Sequence, residues 1–134
     1  MNTIGIDTNV LLRLLVDDDP EQRKAVLAFG QGLGHSYVGF VTLISLVEID
    51  WALRKQYGYR KQESVSALRK ITQLRGVEVQ SADAVVKAIR GVENGAGDFA
   101  DMLIAHLCLD ADCTHVVTLD QKAAARIQGM ELLT

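Results

Sequence analysis

SYVGFVTLISLVEIDWALRKQ (Ser36 to Gln56) holds, in one uninterrupted run, a strand and the helix it feeds. Ser36 to Val41 is rich in aromatic and β-branched residues, the composition that suits a pleated, half-buried strand. Thr42 then supplies a hydroxyl where a helix N-cap needs an acceptor, and Ile44, Val47 and Trp51 recur at helical spacing as far as about Gln56. A strand passing directly into an amphipathic helix is half of a βα unit.

The same alternation extends in both directions. Thr3 to Ile6 reads as a strand and Asn9 to Leu15 as the helix after it. Asp19-Pro20-Glu21-Gln22 starts another helix, with Asp as cap, Pro at the first helical position and Gln three residues past the cap. That helix is expected to run to about Gly30 and to bury Ala25, Val26 and Phe29. Downstream, Val65, Leu68, Ile71 and Leu74 mark a helix stopped by Gly76, and Val77 to Val79 a short strand. Ser81 is expected to cap a helix carrying Val85, Ile89 and Val92. After the turn Asn94 to Gly97 come a helix from about Asp98 to Asp110 and a strand His115 to Thr118. A short helix from about Gln121 to Ile127 and a last strand at Glu131 to Leu133 complete the chain. Strands separated by helices imply a mainly parallel sheet covered on both faces, so the fold class is α/β, with about five strands in three α/β/α layers.

Composition bounds the function. The 134 residues fit a single domain, 1–134, with no repeat, linker or low-complexity tract and with Pro20 the only proline. No stretch approaches the roughly 18 apolar residues of a membrane span, and the N-terminus, with Asp7 and Arg13 in it, does not read as a signal peptide. Cys108 and Cys113 lack the spacing of a metal or redox pair and read as reduced thiols, so a cytoplasmic location is expected. The net charge of -3 argues against a general nucleic-acid coat. Yet Arg54, Lys55, Arg60, Lys61, Arg69, Lys70 and Arg75 crowd one segment whose only acid is Glu63. An acidic body with one basic segment suits an enzyme that holds cations at its centre and phosphates at its rim; a solvated helix face explains the segment as well.

Five acids occupy positions that call for explanation. In a parallel α/β sheet, ligands bind at the carboxyl ends of the strands. Asp7 directly follows the first strand and Asp120 lies two residues past the strand at His115 to Thr118. Glu48 interrupts an apolar helix that is expected to be largely buried, and shares a face with Ser45 and Ala52. Asp98 and Asp101 are helix neighbours three apart, followed by Leu103, Ile104 and Leu107, which are expected on the core. Each acid has an ordinary role too: Asp7 and Asp120 as helix caps, Asp98 and Asp101 as favourable charges at a helix N-terminus, Glu48 as a partner for Lys55. Carboxylates gathered together repel, however, and need protons or a cation; an all-oxygen set with no histidine at metal-ligand spacing suits Mg²⁺ or Mn²⁺ over zinc.

These residues carry a resemblance. IGIDTNVLLRLL (Ile4 to Leu15), VTLISLVEIDWAL (Val41 to Leu53), GDFADMLIAHL (Gly97 to Leu107) and THVVTLDQKAA (Thr114 to Ala124) resemble, in order and spacing, the four acidic motifs of PIN-domain ribonucleases. Within that family the chain is most similar to VapC-type toxins of toxin–antitoxin pairs. The resemblance implies that Asp7, Glu48, Asp101 and Asp120 are the catalytic quartet, with Asp98 in support or at a second metal. It places Asp7 and Asp101 on the main metal, Glu48 as base or water-orienting group, and Asp120 on a second site. Thr8, Asn9 and Thr42 match polar positions beside the acids. Arg54, Lys55, Arg60 and Lys61 would position phosphates, and Tyr57 and Tyr59 would stack bases.

The implied activity is endonucleolytic cleavage of single-stranded or looped RNA with Mg²⁺, Mn²⁺ being possible. The implied partners are an antitoxin reaching a cationic side chain into the acidic pocket, and a second copy in a homodimer, with Ala25 to Phe29 and Val65 to Leu74 as surfaces to inspect. Three other readings compete. A phospho-acceptor receiver needs an acidic pair after the first strand and a lysine ending a late one; an aspartate-nucleophile phosphatase needs an acid where Asn9 stands. A catalytically silent PIN-like domain that only binds a protein or RNA needs neither.

Overall fold

The computed structural model describes all residues, Met1–Thr134. The chain runs β1 (Asn2–Gly5), α1 (Thr8–Leu15), α2 (Pro20–Gly32), β2 (Tyr37–Val41), α3 (Leu43–Lys55), α4 (Lys61–Thr72), β3 (Val77–Val79), α5 (Ala82–Glu93), α6 (Phe99–Asp110), β4 (Val116–Thr118), α7 (Gln121–Arg126) and β5 (Met130–Leu132). Every strand pairing is parallel, as crossover helices require. The five strands form two ladders, β1-β2-β3 and β4-β5, rather than one continuous hydrogen-bonded sheet.

Helix starts follow local chemistry. Asp19 accepts from the Gln22 amide at 3.1 Å, with Pro20 in the first turn. Thr42 accepts from the Ser45 amide at 3.2 Å. Ser81 stands before α5 as expected but does not cap it: its backbone is left-handed (φ 49°) and its hydroxyl makes no capping bond.

The core is one continuous cluster built chiefly from Leu46, Ile49 and Leu53 of α3, Val65, Leu68 and Ile71 of α4, Val85 and Ile89 of α5, and Phe99 and Leu103 of α6. Each such side chain contributes about 1.5–3 kcal/mol on burial. Helix α5 lies so close to α6 that a Cβ at Gly91 would collide with Met102. Gly76, at φ +73°, passes against the backbone of Gly34, so the turns into β3 and β2 touch where no side chain fits.

Three expected faces are placed otherwise. Ile44 and Trp51 of α3 are exposed, because the Leu46–Ile49–Leu53 stripe takes the core. Ile104 on α6 and Ala25 on α2 are exposed as well, whereas Val26 is buried and Phe29 half-buried, stacked on Tyr37.

A buried acid that the sequence reading did not single out lies on α3. Asp50 receives a hydrogen bond from Ser64 Oγ at 2.7 Å and an ion pair from Arg54 Nη2 at 2.8 Å. Both partners arise locally: Arg54 is one helical turn away, and Ser64 faces Asp50 from α4.

Candidate functional site

Asp98 is the N-cap of α6, and its Oδ1 accepts from the Asp101 amide at 3.0 Å. The bond holds Asp98 over the first turn and leaves the Asp101 side chain projecting from the next residue row. Asp120 is the N-cap of α7, accepting from the Lys122 and Ala123 amides at 2.9 and 3.0 Å. Its own amide donates to Thr118 Oγ1, which ties the cap to the end of β4. The three acids meet at a cleft of about 310 Å³, and Lys61, Lys122 and Arg126 line the same cleft. It is thus a carboxylate patch rimmed by cations.

Asp101 feels that crowding. Partial burial raises its proton affinity above that of an ordinary aspartate. The charge of Asp98, a hydrogen bond with the Asp98 carboxyl and the charge of Asp120 raise it further; Lys61 opposes them.

The other two acids, Asp7 and Glu48, both accept hydrogen bonds from Thr8. Thr8 Oγ1 lies 2.7 Å from Glu48 Oε1 and 3.1 Å from Ser45 Oγ, and Thr42 Oγ1 lies 3.2 Å from Ser45 Oγ. A hydroxyl has one proton, and the carboxylate is the stronger acceptor, so Thr8 donates to Glu48. The other hydroxyls line up behind it, from Thr42 through Ser45 to Thr8. Glu48 is exposed, not largely buried, and shares a cleft with Thr8, Asn9, Trp51 and Lys55. Asp7 accepts from the Thr8 amide at 2.8 Å as the cap of α1.

The acids therefore stand at carboxyl strand ends, as expected, but on two ladders: Asp7 after β1 and Asp120 after β4. No three ligand-type side chains converge on one point.

The basic residues divide similarly. Lys61 reaches the Asp101 cleft and Lys55 the Glu48 cleft. Arg54 is committed to buried Asp50, which corrects its reading as a phosphate contact. Arg60 pairs with Glu63 at 3.2 Å on the surface. Tyr57 donates to Asp18 at 2.6 Å, which holds its phenol protonated, and Tyr59 packs on the core. Both tyrosines are half-buried against the core. Lys122 and Arg126 were not anticipated, although their spacing of four on a helix begun by Asp120 was there to be read.

A family model described as the PIN domain matches residues 4–129. No curated protein matches the chain. Among solved structures, it is similar to a chain in the crystal structure of VapBC2 from Rickettsia felis bound to a DNA fragment from the promoter. The two are 16% identical, with a TM-score of 0.38 and coverage of 99% of this chain and 98% of that one. The family model spans all four acidic motifs, and the α/β class and three-layer expectation accord with it. The chain belongs to the PIN domain family.

Proposed function

We propose that this protein is a divalent-metal-dependent endoribonuclease, the toxin of a toxin–antitoxin pair, acting in the cytoplasm on single-stranded or looped RNA. The observation that carries the reading is the Asp98–Asp101–Asp120 patch with Lys61, Lys122 and Arg126 around it. Its oxygen-only donors, and the burial and carboxylate repulsion that raise the proton affinity of Asp101, fit a hard cation. Mg²⁺ is commonly held by one or two carboxylates, with waters and substrate phosphate completing its shell, so three converging ligands are not required.

Asp101, with Asp98 and Asp120 beside it, would hold Mg²⁺ or Mn²⁺. When bound, the ion shields the phosphate, lowers the pKa of water and stabilises the leaving oxygen. Lys61, Lys122 and Arg126 hold phosphates of the strand at the rim. Glu48, its Oε1 oriented by Thr8, is the group assigned to accept a proton from the attacking water. Asp7 is assigned to the same acid set by its motif, Ile4 to Leu15. An antitoxin that inserts a cation among these acids, and a second copy of the chain, are the partners proposed. Val65, Leu68 and Ile71 are core, which removes most of one surface considered for the dimer and leaves the apolar hollow at Ile4, Val10, Val26 and Phe29.

A catalytically silent binding module is the second reading, favoured by the lack of three ligand-type side chains converging on one point. Cleavage of cellular RNA decides between them, with Mg²⁺, with EDTA, and with Asp7→Asn and Asp101→Asn variants. The nuclease reading expects discrete fragments that require metal and both carboxylates. Folded, antitoxin-free, metal-loaded protein that cuts no RNA would establish the silent module.

A further inference from the structure

Trp51 is 48% exposed, although a tryptophan on a helix of this core has every energetic reason to be buried. It stands one helical turn after Glu48 and lines the same cleft of about 320 Å³, with Thr8, Asn9, Lys55 and Gln56 around it. Lys55 Nζ lies 5.7 Å from the ring centroid. The cleft thus offers a flat apolar ring with the Lys55 cation over it, and polar groups that lead to the carboxylate of Glu48. Five of its eight lining residues are polar, a poor match to an apolar helix from a protein partner. They match an unpaired nucleotide, whose base needs a π-face and whose phosphate needs a cation.

We infer that Trp51 is the stacking platform for one unpaired base of the RNA, with Lys55 on the adjoining phosphate. The inference rests on the nuclease reading and sets where the strand lies relative to Glu48. It also explains selection for single strands, since a base stacked within a duplex has no free face to give. Trp51 is a positioning residue; the exposed Ile44, earlier on the same helix, lies outside the cleft.

Trp51 is the chain's only tryptophan, so its emission reports directly on occupancy of this cleft. The probe is a 12-nucleotide single-stranded RNA carrying a fluorescent label, titrated in EDTA and again in Ca²⁺, with a duplex of the same sequence as comparison. Expected are saturable quenching of Trp51 by the single strand alone and, by label anisotropy, a rise in Kd of about 5- to 140-fold for Trp51→Ala. Trp51→Phe keeps most of the affinity, which a loss of fold would not allow. Lys55→Gln flattens the salt dependence by about 0.7 in log–log slope. RNA that binds without changing the emission, and equally to Trp51→Ala, would overturn the stacking role while leaving the nuclease reading intact; the cleft would then be a protein-docking surface. No RNA binding in either buffer, together with no cleavage of cellular RNA, would sink both.

Discussion

A carboxylate that is partly buried and set beside other carboxylates holds its proton more tightly than a free one, and Asp101 is in that position, with Asp98 and Asp120 as its neighbours. Its native-state pKa is raised above its unfolded value, so the native state binds protons that the unfolded chain has released. The stability tied to this group is fully present below the ordinary aspartate pKa of about 3.9 and is lost as pH rises through the raised folded value. Asp101→Asn removes that penalty. The variant is expected to melt at a higher temperature than the parent at pH 7, with the gap closing towards about pH 3.9. Mg²⁺ should raise the melting temperature of the parent and not of the variant, while RNA cleavage by the variant falls about a hundredfold or more. A variant less stable than the parent at pH 7 would show that Asp101 is a structural acid. Asp50 is the contrasting case. Its side chain is 3% exposed and satisfied by Arg54 and Ser64, so Asp50→Ala strands a cation and a hydroxyl. Urea unfolding is expected to show a loss of about 3–5 kcal/mol, with activity unchanged in the fraction that remains folded.

At the scale of the element, Asp98 and Asp120 each serve two masters, as caps of α6 and α7 and as acids of the cleft. Asparagine caps about as well as aspartate, whereas alanine forfeits about 1 kcal/mol. Asp98→Asn and Asp120→Asn are therefore expected to keep parental stability in urea, and the corresponding Ala variants to lose it. Cleavage should drop in Asp120→Asn as in Asp120→Ala, since both remove the charge. Activity that survived in Asn and failed only in Ala would reduce Asp120 to a cap. The helix starts at Asp19, Thr42, Asp98 and Asp120 were legible in the sequence because capping is chemistry within three residues. The buried face of α3 was not. Its apolar residues make two stripes, Ile44–Val47–Trp51 and Leu46–Ile49–Leu53, and periodicity alone cannot choose between them; packing against the rest of the core buries the second. Choosing the first stripe concealed both the exposure of Glu48 and the burial of Asp50. Ser81 failed as a cap for a similar reason, because a suitable hydroxyl does not guarantee the extended backbone that a cap requires.

Over the whole molecule, the four motifs were readable in chain order, but their assembly depends on how the two ladders sit, and no local pattern encodes a register between strands that share no hydrogen bonds. The smaller ladder is also the weaker part of the fold. Strands β4 and β5 pair over only three positions, and with α7 they touch chiefly one another. Ala123, Ile127 and Met130 are the side chains that anchor this unit in the main core, Ile127 lying against Gly97 just before α6. Few anchoring contacts mean a low free energy of opening, so native-state hydrogen exchange is expected to release the amides of Val116, Ile127 and Leu133 well before those of Leu68 and Ile89. The cleft spans this boundary, because Asp98 and Asp101 belong to α6 and Asp120 to the smaller unit. A cation bound across it stabilises the closed state in proportion to its occupancy, by RT ln(1 + [L]/Kd), or about 2.7 kcal/mol at a hundredfold excess over Kd. Mg²⁺ should then slow exchange at Val116, Ile127 and Leu133 by up to about a hundredfold while leaving purely local fluctuations elsewhere untouched. Asp120→Asn keeps the cap and hence the basal exchange rate, and should lose the protection given by Mg²⁺. Equal protection in parent and variant would mean that the ion is held without Asp120, by the acids of α6 alone.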